Sequence, residues 1–286
     1  MLDIIHSDIM GLMEVPSISG ARYIFLFVDD RTRFKHCYIL KHKSEARQSF
    51  QDYQVVVEEV HGKRIGRFRK DGGGEFTSHA FLEYQRGEGI QKETTTPYTP
   101  QSNGTSEHAN RTIIETAKAM MSGVCTPKHF WAEAVSTAVS LRNLTPTCAI
   151  SEGSPHEAWF GVGKCPDLAH LRVWGYVVYA QVPKERGKKL NPNARKCIFV
   201  GYTLTCKQYR LYDPASKWFV VLRHVISSEK EPYHTRGAGE RGERILYYIP
   251  APIEHADIPV RPFSDSAADT SSLLAHIAHN EGEMEL

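Results

Sequence analysis

The sequence predicts an α/β fold in two parts: a mixed sheet with flanking helices over residues 1–162, then a small β-barrel over 163–229. A largely disordered, acidic low-complexity tail over 230–286 follows. Three observations carry this reading. Strand-length apolar runs and amphipathic stretches follow one another as strand, strand, strand, helix, strand, helix, strand through the first part. Short alternating runs then crowd together in the second. Charge divides the chain at the same places, with 18 basic and 19 acidic side chains in 1–162, 12 and 4 in 163–229, and 5 and 10 in 230–286. The formal net charge of +2 is thus a cancellation, and it excludes no polyanionic partner.

Taken in order, LDIIHSD, RYIFLFVDD and RFKHCYIL are β-branched or aromatic runs bounded by turn residues, which predicts a three-strand meander. A helix follows, with Ser44 as its cap, Ala46, Phe50, Tyr53 and Val57 recurring at three- and four-residue intervals, and Gly62 as its stop. RIGRFRKD reads as a strand running into three glycines, then come a short helix at SHAFLEYQRG and a brief strand near GIQKETT. PYTPQSNG, with two prolines and an Asn-Gly, is a loop. It feeds a helix whose stripe is Ile113, Ala117, Met120 and Met121. The next helix starts at Pro127 and offers Phe130, Trp131, Ala134, Val135 and Ala138 for burial. LRVWGYVVYAQV, KCIFVGY, QYRLYD and WFVVLRHVI make four or five barrel strands, with turns at LNPNARK and DPASK. The tail holds SDSAADTSS and one candidate segment, RILYYIPAPI.

No apolar run approaches the roughly 20 residues needed to cross a bilayer, and the N-terminus lacks a secretion signal, so an intracellular protein without a membrane partner is expected. The six cysteines form no C-x-x-C pair and the 14 histidines no zinc-type spacing; reduced thiols and no zinc are expected.

Three carboxylates stand out. Asp8 follows the first apolar run, Asp71 ends the fourth strand, and Glu107 opens the helix after PYTPQSNG. Strand ends and a helix start converge on a shared crevice in such sheets, and carboxylates are the hard oxygen ligands Mg²⁺ prefers. The plainer alternatives are turn chemistry, for which Asp29 and Asp30 are equally placed, and an i, i+4 salt bridge between Glu107 and Arg111. Lys184, Arg186, Lys188, Lys189, Arg195 and Lys196 cluster as one basic face able to neutralise phosphates, which makes salt-dependent DNA binding the expectation.

The strings IHSDIMG, FVDDRTRF, YILKHKSEA, RFRKDGGGEF, TPYTPQSNGTSEHANRTI, FWAEAVSTAVSLRN, PHEAWFG, HLRVWGYVVYAQVP, RKCIFVGY, YRLYDP and RHVI occur in family order over residues 3–228. Through them the chain resembles the integrase of copia-type LTR retrotransposon Pol polyproteins, within the retroviral integrase superfamily. The 35 residues between Asp71 and Glu107 match that superfamily's signature interval.

The resemblance implies an RNase H-like catalytic core followed by an SH3-like domain, with Asp8, Asp71 and Glu107 as metal triad for two Mg²⁺ or Mn²⁺ ions. It implies nicking of a DNA 3′ end, then attack of that 3′-OH on target DNA, by a homo-oligomer acting in the nucleus. Tyr98 and Gln101 match loop positions that touch the donor DNA end, and Arg111 is either a phosphate contact or the salt-bridge partner, the latter preferred. Departures from the family are Lys70 and Gly72 around Asp71, which put a cation beside a metal ligand and loosen the turn, and His108 and Ala109 after Glu107. The chain begins seven residues before Asp8, so the family's zinc-binding N-terminal domain is expected to be missing. The expectation is therefore an integrase core, or alternatively an impaired relic that only binds nucleic acid.

Overall fold

The computed structural model describes residues 1–70, 79–94, 104–150, 153–161, 166–181, 194–203, 208–223 and 225–232. The first sheet contains β1 (Ile4–Met10), β2 (Tyr23–Asp29), β3 (Lys35–Leu40), β4 (Arg67–Lys70) and β5 (Gln91–Thr94), in the order β3-β2-β1-β4-β5. The expected meander is present: β1, β2 and β3 pair antiparallel, while β4 and β5 join β1 in parallel. Among the described residues five α-helices accompany the strands: α1 (Ala46–His61), α2 (His79–Gly87), α3 (Gly104–Gly123), α4 (Trp131–Leu144) and α5 (Pro155–Phe160).

β2 shows why the sheet takes helices on both faces. Its near-continuous apolar run sends Ile24, Leu26 and Val28 to one side and Phe25 and Phe27 to the other, so neither side can face water. The first side packs on Ala109, Ile113 and Ala117 of α3 and on Ala134, Val135 and Ala138 of α4. The second packs on Phe50, Tyr53 and Val57 of α1 and Phe81 of α2. There Phe27 lies parallel to Tyr53 with centroids 4.2 Å apart, and full burial of each such ring is worth about 1.5–3 kcal/mol. Gly62 ends α1 in a left-handed conformation at φ 59°, as its position predicted. Ser44 is not the cap: a 3₁₀ turn, Lys43–Glu45, precedes the helix and Glu45 occupies the N-cap without a side-chain bond. α5 is closed by a capping box between Ser154 and Glu157.

The second sheet comprises β6 (Tyr176–Gln181), β7 (Ala194–Tyr202), β8 (Tyr209–Asp213), β9 (Trp218–Leu222) and β10 (Val225–Pro232), all antiparallel, in the order β10-β6-β7-β8-β9. WFVVLRHVI therefore supplies two strands rather than one, at opposite edges of the sheet, and the last strand runs past residue 229. The fold class is the expected one, a mixed RNase H-like sheet with flanking helices followed by a small antiparallel β unit. The acidic tail beyond Pro232, with its segment at 244–253, lies outside the described residues.

α4 is wedged between the sheets, which accounts for its burial on nearly every side. Ile198 and Val200 of β7 enter the same core cluster as α3 and α4. The Val200 carbonyl accepts from the Trp174 indole at 2.9 Å and lies 3.0 Å from the Thr137 hydroxyl. Gly201 permits this approach, because a Cβ there would sit 2.6 Å from Thr137 Oγ1. Arg210 of β8 donates to both carboxylate oxygens of Glu133 on α4, at 2.8 and 3.2 Å. Among the described residues no helix is long and apolar enough to cross a membrane, and Cys37, Cys125, Cys148 and Cys197 are free thiols.

Candidate active site

Asp8 lies on the central strand, half-buried, on the sheet face covered by α3. Alternation along β1 turns Ile5 and Ile9 to the aromatic side, with α1 and α2, and leaves Asp8 and Met10 facing the other helices. Asn110 of α3 donates its amide N–H to Asp8 Oδ2 at 2.5 Å, a contact between residues 102 apart in the chain. Glu107 stands three residues before Asn110, exposed in the first turn of α3, so one helical turn separates it from the residue that touches Asp8. The structure therefore brings Asp8 and the start of α3 together.

Asp71 lies outside the described residues, as do Tyr98, Gln101, Lys184, Arg186, Lys188 and Lys189. The chain enters Asp71 directly from Lys70, which pairs in parallel register with Ser7, the neighbour of Asp8. The expectation for Lys70 concerned Asp71 and so lies outside the described residues, but Lys70 itself is described. Its side chain is 1% exposed and its ammonium is 5.5 Å from the Phe81 ring of α2, on the opposite face of the sheet from the Asp8–Asn110 contact. The strand's two-residue period turns this cation away from Asp8's face.

Two residues below Asp8, on the same face, a polar row crosses three strands. Arg69 is the register partner of both His6 and Glu93, and it donates to Glu93 Oε1 at 2.8 Å. That hydrogen bond, with the charge of Arg69, holds the Glu93 carboxyl below its ordinary range. His6 is 1% exposed, and burial pushes its pKa down, although Asp30 opposes the shift. His6 Nε2–H donates to the Asp30 carboxylate at 2.7 Å. Burial alone would raise Asp30, but the His6 hydrogen bond and the Arg33 charge keep it low. Neither Asn110 nor this row stands out in the sequence; the signal available was the period-two placement of His6 and Asp8 on one strand face.

The remaining basic residues are more dispersed than expected. Arg111 is exposed, and no ion pair joins it to Glu107 among the described residues, so the preferred i, i+4 salt bridge is not formed. Arg195 and Lys196 are adjacent on β7 and must point to opposite faces, which rules out one common face for this pair. Arg195 is exposed, 3.9 Å from Asp213, and Lys196 is half-buried.

No group of three His, Cys, Asp or Glu side chains gathers among the described residues. The donors that are described nevertheless suit a hard divalent cation: Asp8 and Glu107 offer carboxylate oxygens, and Asn110 Oδ1 is a buried oxygen without a hydrogen-bond partner.

Residues 176–240 match the retroviral polymerase SH3-like domain family. The chain is 40% identical over 245 residues to the retrovirus-related Pol polyprotein from transposon TNT 1-94 of Nicotiana tabacum, covering 86% of this chain and 18% of that one. It is 35% identical over 228 residues to the corresponding polyprotein from transposon RE1 of Arabidopsis thaliana, covering 80% and 15%. The chain thus spans less than a fifth of the length of these curated relatives. Among solved structures, the catalytic core domain of BIV integrase aligns with a TM-score of 0.41 at 20% identity, over 56% of this chain and 94% of that one. A simian T-cell lymphotropic virus intasome in complex with a PP2A regulatory subunit aligns with a TM-score of 0.46 at 15% identity, over 79% and 78%.

Proposed function

We propose that this chain is an integrase-like segment of a retrovirus-related Pol polyprotein, the proteins it is similar to, and that it catalyses metal-dependent DNA 3′-end nicking and strand transfer with Asp8, Asp71 and Glu107. The observation that carries this is the Asn110–Asp8 hydrogen bond, which ties the strand bearing the first carboxylate to the helix turn bearing the third. Two bound Mg²⁺ or Mn²⁺ ions would supply Lewis acidity at the attacking and leaving oxygens of an in-line phosphodiester displacement.

The chain's own contribution is placement and charge. Asp8 sits on a strand bounded by two others, so its backbone cannot drift, and Asn110 orients one of its oxygens. Glu107 approaches from a 20-residue helix whose apolar stripe, Ile113 and Ala117, is locked into the core. The basic residues of 163–229, Arg195 and Lys196 among them, would neutralise DNA phosphates. DNA ends and target DNA are the proposed partners, a homo-oligomer the proposed working form, and the nucleus the proposed place of action.

The test is a disintegration assay on branched DNA. The chain is expected to join and release strands with Mg²⁺ or Mn²⁺, to stop with EDTA, and to lose turnover to background on Asp71→Asn while DNA affinity stays within about threefold. DNA binding with no metal-dependent cleavage would instead identify a nucleic-acid-binding remnant.

A further inference from the structure

We infer that Arg33 is a positioning residue for Glu107: from the β2–β3 turn it grips Thr105, in the first turn of α3, and so fixes that turn against the strand that carries Asp8. The inference rests on the proposed role of Glu107.

The root of Arg33 is rigid. The buried Asp29 carboxylate accepts from the backbone N–H of Leu2, from the backbone N–H of Thr32 and from the Thr32 hydroxyl, each at 2.8 Å. Arg33 donates its own backbone N–H to Asp29 O at 2.9 Å and is held at φ 59°. A left-handed conformation costs a non-glycine residue roughly 1–2 kcal/mol, so the turn imposes it.

From that root the guanidinium reaches two groups. Nη1 donates to Thr105 Oγ1 at 3.1 Å and lies 3.5 Å from Asp30 Oδ1, the oxygen that also accepts from His6. A continuous path therefore runs from His6, two residues before Asp8, through Asp30 and Arg33 to Thr105, two residues before Glu107. The Asn110–Asp8 hydrogen bond closes the circuit on the other side of Glu107. Glu107 is thus bracketed in sequence by two ties to the sheet.

Helix stability does not explain the arrangement. A cation at a helix N-terminus opposes the macrodipole, so charge alone would place Arg33 elsewhere. Asp30 offsets that cost, and what remains is geometry: α3 starts at Gly104, and a first turn fixed only from within would fray. Catalytic carboxylates tolerate misplacement of only about 0.5 Å.

The experiment uses the full chain with Arg33→Ala, Thr105→Val and Thr105→Ser. Arg33→Ala and Thr105→Val are expected to lower kcat in the branched-DNA assay by about 10- to 100-fold, with KM for DNA within about threefold. Thr105→Ser, which keeps the acceptor oxygen, is expected to restore parental kcat. In both impaired variants the amides of 105–110 should exchange at least about tenfold faster, while protection of β1 and β2 is unchanged. Unchanged exchange at 105–110 in Arg33→Ala would overturn the strap itself. A raised KM with parental kcat would overturn positioning in favour of a DNA contact. An inactive parent chain, by contrast, overturns the proposed function and the role of Arg33 in catalysis with it, whatever exchange shows about the strap.

Discussion

Asp8 is a carboxylate at a strand position where turn chemistry has no use for it, and Asn110 spends its amide N–H there rather than on solvent. Asn110→Ala is expected to leave the fold intact and to lower strand-transfer turnover about 10- to 100-fold, as loss of an orienting partner does; parental turnover would show that Asp8 is oriented by other means. His36 makes a different kind of prediction. Its ring packs among Phe34, Tyr53 and Trp159, and burial, reinforced by the nearby His61, lowers its pKa to about 4. The unfolded chain takes up a proton near the ordinary 6.5 that the folded chain refuses. The stabilising contribution of neutral His36 is therefore whole above about pH 6.5 and is lost as pH falls from there toward 4. Urea unfolding at pH 7 and pH 4.5 is expected to show a loss of stability smaller by about 1–2 kcal/mol in His36→Phe than in the parent. Equal losses would show that His36 does not titrate in this window. At this scale Glu107 was legible in the sequence at the start of a helix and Asp8 as a carboxylate after an apolar run, although β1 continues through Asp8 to Met10. Their helpers were not, since Asn110 and Arg33 acquire roles only through partners 102 and 72 residues away.

Among the elements, α4 is the one whose surroundings differ most from its sequence signature. An apolar stripe predicted one buried face, yet Thr137 and Ala132 are buried as well, because β7 covers the side that would otherwise meet water. The close approach rests on Gly201. Gly201→Ala is expected to cost about 1–3 kcal/mol by overpacking against Thr137. The same change in a Thr137→Ala background should cost less, because the obstructing oxygen is gone. Equal costs in the two backgrounds by chemical denaturation would refute the contact. The helix boundary at Gly62 followed the sequence, whereas Pro127 caps a 3₁₀ turn, Lys128–Phe130, and α4 itself starts only at Trp131. Ser44 failed as a cap because a 3₁₀ turn moved the helix start past it.

At the scale of the whole molecule, the two sheets share a hydrophobic cluster through α4 and are pinned by the Glu133–Arg210 pair, whose side chains are 13% and 16% exposed. A fragment ending at Val162 would uncover Thr137 and the side of α4 that faces β7, and would leave Glu133 without its arginine. It is expected to melt at least about 5 °C below the full chain and to expose apolar surface to a hydrophobic dye. An identical melting temperature would show that the second sheet contributes nothing to the first. The sequence by itself determined the element order, the division of charge and the three carboxylates, because period and composition are local properties. Only the tertiary structure decided that Lys70 turns away from the face of Asp8, that Glu107 and Arg111 do not pair, that Arg195 and Lys196 diverge, and that Arg33 and Asn110 bracket Glu107. Strand register and helix docking set those relations, and both arise from packing between segments far apart in the chain.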